Sequence, residues 1–197
     1  MSRNFLRVAK VGGSLFDLAD LPVKLRCWID SQPGVNVLVA GGGRFGDSVR
    51  QADDTFALGD ATAHRLALDA MCLSAELLAV LLPEMTLLHS LHEVGEKLSN
   101  GESVVFNPRE AMESPSCQLP HSWDVTSDSI AAYIASELRA QELVLLKSTL
   151  LPVNTNRSQA AEAGLVDAHF PQAAPAAQSV RWVNLRSTPV TERPLRS

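Results

Sequence analysis

The chain has 197 residues, 46% of them hydrophobic, and a formal net charge of -5, which suits a globular protein with one sizeable core or two small lobes. Lys and Arg are scattered, so no basic patch of the kind that binds a phosphate backbone is present, and with aromatics at 5% a stacking platform for single strands is poorly supported. Nucleic acid is therefore not an expected partner.

The N-terminal stretch MSRNFLRVAKVGGS has too short an apolar run to read as a signal peptide. FLRVAKVGGS reads as a buried strand ending in glycines, with Lys10 near its end, followed by Gly12, Gly13 and Ser14. Glycines let backbone N–H groups approach an anion and a lysine adds a point charge there, so a phosphate site is one reading. The other is a tight turn whose lysine reaches solvent.

LPVKLRCWIDSQ places Leu21, Leu25, Trp28 and Ile29 on one helical face. VNVLVAGGGRFG is a second strand with glycines, and it contains a literal G-x-G-x-x-G at Gly41, Gly43 and Gly46. A dinucleotide fold would need a strand ending in an acid about 20 residues later. That region, ATAHRLALDAMCLSAELLAVLL, is helical by period and is stopped by Pro83. No G-x-x-x-x-G-K-[ST] occurs either. A preceding helix is expected from Asp47 to Ala57, and its acids Asp53 and Asp54 fit either a cationic substrate or a solvated face.

MTLLHSL reads as a short strand, Glu93 to Ser99 as a short helix, and SVVFNP as a strand closed by Pro108. His89 and His92 have no third ligand at metal spacing, and no nucleophile elbow surrounds Ser14 or Ser129. The apolar stretch LSAELLAVLLPEM carries Glu76 and Pro83 and falls short of the roughly 20 residues that span a bilayer. No membrane association is expected.

HSWDVTSDSIAAYIASEL opens a helix at Thr126 to Ser129, where Asp128 is the one acid among three hydroxyls. Capping by Thr126 or Ser127 is the plain reading. ELVLLKST is a further strand ending in Lys147, Ser148 and Thr149, where a lysine either holds phosphates or is solvated. Beyond Thr149 the pattern loosens through QAAEAGLVDAHFPQAAPAAQ. SVRWVNLR is a last strand, and STPVTERPLRS is expected to fray. Alternating strands and helices predict an α/β fold with a mostly parallel sheet covered on both faces. Ligands then bind beyond the carboxyl ends of the strands, where the glycines and hydroxyls gather. Cys27, Cys72 and Cys117 are far apart and form no C-x-x-C, which fits a reducing cytoplasmic setting.

The segments KVGGS, VAGGG, HSWDVTSDS and LLKST, in this order over Val8 to Thr149, resemble the amino acid kinase family. Further likeness lies in HSW leading into TSDS and YI, in VRQAD after the triple glycine, and in HRLALDAMCL. The resemblance implies a three-layer αβα sandwich formed as one domain over residues 1–186, with residues 187–197 as a tail. Its N-terminal part would bind the acceptor, and residues from about 120 to 186 would bind ATP with magnesium.

It implies that Lys10 stabilises the transferring phosphoryl group, that Lys147 neutralises charge developing on the β–γ bridging oxygen, and that Asp128 organises both. Gly12, Gly13, Ser14, Ser127, Ser148 and Thr149 would hold phosphates. Gly41, Gly42, Gly43, Asp53, His64 and Trp123 would line the acceptor side, with Asp53 the first choice for an amine on a phosphorylated small-molecule acceptor and His64 nearby. A homo-oligomer is implied as well. Many members follow the second lysine with a V-D-G-V hairpin, whereas this chain has LLPVNTN, so its nucleotide lobe reads as short. Another acceptor, such as a nucleoside monophosphate, isopentenyl phosphate or an amino acid, and a non-catalytic binding or regulatory role are the rival readings.

Overall fold

The computed structural model describes residues 5–175 and 178–197. Parts of the N-terminal stretch (1–4) and of the Ala- and Pro-rich stretch (176–177) lie outside the described residues. The strands are β1 (Leu6–Val11), β2 (Val35–Ala40), β3 (Thr86–Leu88), β4 (Val104–Phe106), β5 (Glu142–Lys147), β6 (Ser179–Asn184) and β7 (Thr191–Pro194). The helices are α1 (Leu21–Asp30), α2 (Gly43–Phe56), α3 (Asp60–Leu81), α4 (Leu91–Ser99), α5 (Arg109–Glu113), α6 (Ser127–Glu137), α7 (Arg157–Glu162) and α8 (Phe170–Ala173). A 3-10 turn, Gly13–Asp17, follows β1.

The strands form one sheet in the order β3-β4-β2-β1-β5-β6-β7. All neighbours are parallel except β6 and β7, which are antiparallel. Strand residues are apolar on both sides because helices cover both faces, as parallel sheets require. Val8, Val39, Phe106, Leu143 and Leu145 pack with α6 residues Ile130 and Ile134 on one face. Ala9, Val11, Leu38, Val144 and Leu146 pack with α1 residues Leu21, Leu25 and Trp28 on the other. The long α3 joins both cores: Leu68, Met71 and Cys72 belong to the first and Ala75 and Leu78 to the second.

β1 is central, with β2 on one side and β5 on the other. The chain leaves β1 in one direction and later returns in the other, which makes the carboxyl end of β1 a topological switch point, the usual place for a ligand crevice.

Several local expectations are corrected. The closing segment does not fray: β7 pairs with β6 in register from Asn184↔Thr191 to Arg181↔Pro194, and Leu195 is buried. Its apolar anchor follows a short polar strand, so periodicity could not show it. The stretch after Thr149 holds α7, fixed by a capping box between Asn156 and Gln159, and α8 begins beside Pro171. α5 was not foreseen, and α2 starts at Gly43 rather than Asp47.

Candidate active site

Strand alternation sets the first part of the site. Lys10 shares its face of β1 with Val8, so its side chain faces the α6 layer, and it sits beside Leu145 of β5 in register. Lys147 ends β5 on the face that carries Leu143 and Leu145. Asp128, the second residue of α6, lies between them: Lys10 Nζ is 2.9 Å from Oδ1 and Lys147 Nζ donates to Oδ2 at 2.9 Å. The Lys10 contact is an ion pair whose angle falls outside hydrogen-bond geometry.

All three groups are nearly withdrawn from water. Burial pushes the Asp128 carboxyl up, but the two ammonium groups outweigh it and hold it down at about 2. Burial pushes Lys147 down, Asp128 opposes this and Lys10 adds to it, leaving Lys147 at about 8. Two ammoniums and one carboxylate leave one net positive charge at the carboxyl ends of β1 and β5, suited to an anion that gains charge in a transition state.

The glycine turns meet above this cluster. A Cβ on Gly13 would run into Gly43 N and stand 2.7 Å from Gly43 Cα, so only glycine permits the approach. Gly43 itself has φ +54°, in the left-handed region. Ser14 Oγ is 2.8 Å from Ser148 Oγ, which ties the turn after β1 to the end of β5. The N–H of Gly12 is donated to Leu146 O at 2.8 Å and that of Gly41 to Val11 O at 2.8 Å. Gly12 is thus corrected from phosphate donor to ladder residue, because the β1–β5 pairing continues through it. Thr149 turns its carbonyl to Trp182 Nε1 at 2.9 Å.

A cavity of about 230 Å³ opens between α2, α3 and the start of α6. Gly13, Ser14, Gly42, Gly43, His64, Trp123 and Ser127 reach its wall. So do Asp47 and Arg50, beside the apolar Leu68, Met71 and Ile130. Asp53 and Gly41 are not brought to the wall. The Asp53 carboxylate instead accepts from Trp123 Nε1 at 2.7 Å and from Leu58 N at 2.9 Å, so it holds the indole that faces the cavity. The Arg50 guanidinium lies 4.2 Å from the centroid of the same indole. His64 stacks on His121 with centroids 5.1 Å apart. Its Nδ1 is 3.2 Å from Ser122 O, and burial foremost pushes its imidazole down.

Asp47 and Arg50 lie within the helix expected from the sequence, but its start at Asp47 leaves out the glycines that show which of its faces meets the site. Begun at Gly43, the positions Gly43, Gly46, Asp47 and Arg50 fall at i, i+3, i+4 and i+7, one helix face.

The mouth of α6 is also corrected. Neither Thr126 nor Ser127 caps the helix with its own side chain. Asp167 does so from 38 to 41 residues away: its Oδ2 accepts from Thr126 N at 3.0 Å, Thr126 Oγ1 at 2.9 Å and Ser129 N at 2.9 Å, and its Oδ1 accepts from Ser129 Oγ. Two residues earlier, Leu165 O accepts from Lys147 Nζ at 2.7 Å. The GLVDAHFP passage therefore serves the lysine–aspartate cluster, and only the run of hydroxyls at Thr126 and Ser129 hints at it in the sequence.

Among the described residues no group of three or more His, Cys, Asp or Glu is placed to hold a metal, and no helix is long and apolar enough to cross a membrane. A family model described as the amino acid kinase family matches residues 6–149. The [5-(aminomethyl)furan-3-yl]methyl phosphate kinase of Methanocaldococcus jannaschii is 26% identical over 141 residues, which are 71% of this chain and 64% of that protein. The chain thus spans somewhat less than two thirds of that relative. The structure resembles UMP kinase from Ureaplasma parvum, with TM-score 0.73, 14% identity and coverage of 100% of this chain and 98% of that one. It also resembles UMP kinase from Bacillus anthracis, with TM-score 0.68, 14% identity and coverage of 93% and 88%.

Proposed function

The chain belongs to the amino acid kinase family, and from that premise we propose that it transfers the γ-phosphoryl group of ATP to a small phosphorylated acceptor held in the cavity between α2 and α3. One observation carries the reading: a single buried carboxylate, Asp128, placed between two lysines at the ends of adjacent parallel strands, 2.9 Å from each. Phosphoryl transfer asks a protein mainly to position its reactants and to offset charge. Lys10, on the acceptor side, would meet the transferring group. Lys147 would neutralise charge growing on the leaving diphosphate. Asp128 would hold both in place.

Ser14, Ser127, Ser148 and the Gly13 turn would contact phosphate oxygens between the two substrates, with Thr149 at the nucleotide edge. Magnesium would arrive with the ATP phosphates, since both Asp128 oxygens face lysines. No general base is called for, because a phosphate acceptor is already ionised near neutral pH.

A finer reading takes the acceptor as [5-(aminomethyl)furan-3-yl]methyl phosphate, converted to its diphosphate for a methanofuran-type cofactor. It is supported by the likeness to the Methanocaldococcus protein and by the cavity itself. A flat apolar middle suits Leu68, Met71 and Trp123, and Asp47, which makes no ion pair among the described residues, supplies the anion for an amine. Asp47 replaces Asp53 in that role because Asp53 is committed to Trp123. A cytoplasmic homo-oligomer belongs to the same reading, supported by three free cysteines and by exposed Leu73, Leu77 and Val80 at i, i+4 and i+7 along α3.

The test is ATP consumption with magnesium against the aminated furan phosphate, UMP, isopentenyl phosphate and aspartate, run beside Lys10→Ala and Asp128→Asn. Turnover of one phosphorylated acceptor that falls at least about 100-fold in both variants is expected for removal of transition-state charge stabilisation. Equal turnover in all three proteins would refute the assignment. With the aminated acceptor, Asp47→Asn should raise its KM far more than that of ATP.

A further inference from the structure

We infer that the Leu165–Asp167 turn is the positioning device of the lysine–aspartate cluster, with Asp167 acting through the α6 terminus on Asp128 and the Leu165 carbonyl acting directly on Lys147. The inference deepens the kinase reading and rests on it for its catalytic meaning.

Three geometric facts lead to it. First, α6 presents Asp128 from its first turn, where backbone N–H groups lack partners within the helix. Thr126 makes no capping bond with its own side chain. The terminus is instead fixed by one external carboxylate, which accepts from the backbone N–H groups of Thr126 and Ser129 and from both their hydroxyls. These two residues flank Ser127 and Asp128, so the grip on either side sets where the Asp128 carboxylate stands.

Second, the same turn reaches the other partner. Lys147 Nζ donates to Leu165 O at 2.7 Å and to Asp128 Oδ2 at 2.9 Å. Its remaining charged neighbour is Lys10, which shares Asp128, and the Trp182 ring lies 5.2 Å from Nζ. Of the two oxygens that hold the Lys147 ammonium, one belongs to the turn and the other to the helix that the turn caps.

Third, the charge is economical. Among the described residues the Asp167 carboxylate meets only neutral donors, at the positive end of a helix dipole. It can therefore hold α6 without competing with Asp128 for either lysine.

An aspartate accepts four hydrogen bonds at this terminus, whereas an asparagine has one accepting oxygen and brings its own N–H donors against Thr126 and Ser129. Asp167→Asn should release the first turn of α6 and let Asp128 draw back from Lys147.

The experiment needs no substrate. The chain has only four lysines, Lys10, Lys24, Lys97 and Lys147, so protein grown with 13Cε-lysine gives a spectrum of four signals, assigned by Lys→Arg replacement. Each is titrated from pH 6 to 11 in the wild type, in Asp167→Asn and in Asn156→Ala, which removes the α7 cap instead. In Asp167→Asn the Lys147 midpoint is expected to fall by at least about half a pH unit, because burial then acts with a weaker carboxylate opposing it.

The signals of Lys24 and Lys97 serve as references, and an amide spectrum as dispersed as that of the wild type establishes that the variant is folded. Asn156→Ala should leave Lys147 in place even if it lowers Tm. A Lys147 midpoint unchanged or raised in Asp167→Asn overturns the inference. If Asp167→Asn does not fold, Thr126→Val with Ser129→Ala removes the two hydroxyl donors and must give the same downward shift. Because the readout is the lysine itself, the outcome stands apart from whether any acceptor is turned over.

Discussion

At the scale of single residues, protonation of the buried cluster governs what the site can do. Burial holds the Lys147 ammonium down at about 8, and on the proposed kinase reading the charged form is the one that offsets the leaving group, so activity should be lost as pH rises through that value. Lys147→Arg keeps its charge throughout the accessible range. A pH profile of kcat/KM for this variant should lack the alkaline fall seen in the wild type, at a lower plateau because a guanidinium does not reproduce the contacts of an ammonium. A fall at the same pH in both proteins would move the titration to another group.

The sign for Asp128 is the reverse. Its pKa in the fold, about 2, lies below the ordinary 3.8, so its stabilising contribution is complete above 3.8 and is lost as pH falls toward 2. Asp128→Asn leaves two buried ammoniums without their partner and should cost about 3 kcal/mol at pH 7 by urea unfolding. The sequence made Lys10, Asp128 and Lys147 legible because a lysine inside an apolar strand and an acid at a helix mouth both break their local pattern. Asp167 breaks none: it is an ordinary acid three residues after Gly164, and its role exists only once residues 38 apart in the chain meet.

At the scale of elements, the turn after β1 and the turn after β2 work as one piece. Their closeness depends on Gly13, where any Cβ would strike the backbone of Gly43. Backbone cannot step aside as a side-chain tip can, so Gly13→Ala must part the two turns. It should remove most phosphoryl transfer and lower Tm. Gly95→Ala is the contrasting case, in an exposed stretch of α4 with open space around the new Cβ. There alanine should stabilise by about 0.5–1 kcal/mol, measured by the urea midpoint.

The long strands and α3 were legible because apolar period and length agree in them. The start of α2 was not, since glycines that read as a strand-end loop are in fact its first turn, and without that turn nothing in the sequence marks the face of Asp47 and Arg50 as the one beside the site. α7 and α8 were hidden for a related reason: at six and four residues they are too short for a period to show and are fixed by caps and a proline.

At the scale of the molecule, the candidate site lies where the sheet changes direction, and the half of the sheet that carries β5 and β6 ends in a strand where the sequence suggests a loose tail. β7 does more than cover an edge. Glu192 accepts from Trp28 Nε1 at 3.1 Å and pairs with Arg181 at 2.6 Å, linking β7 to α1 and β6. Arg193 donates to Leu151 O at 3.1 Å, in the segment that follows Lys147. Leu195 is 2% exposed and packs in the same core as Leu143, Leu145 and Ile130.

Removing residues 187–197 would uncover the β6 edge and empty this corner beneath the end of β5. Leu195→Ala alone should cost about 2–5 kcal/mol, which for a chain of this size is a Tm fall of roughly 5–15 °C. The truncation should fall further and, because β5 carries Lys147, should weaken ATP binding more than acceptor binding. Differential scanning calorimetry with and without each substrate separates the two effects: the acceptor should still raise Tm in the truncated protein when ATP no longer does. An equal loss of both shifts would make β7 a support of the whole sheet rather than of the half that carries Lys147.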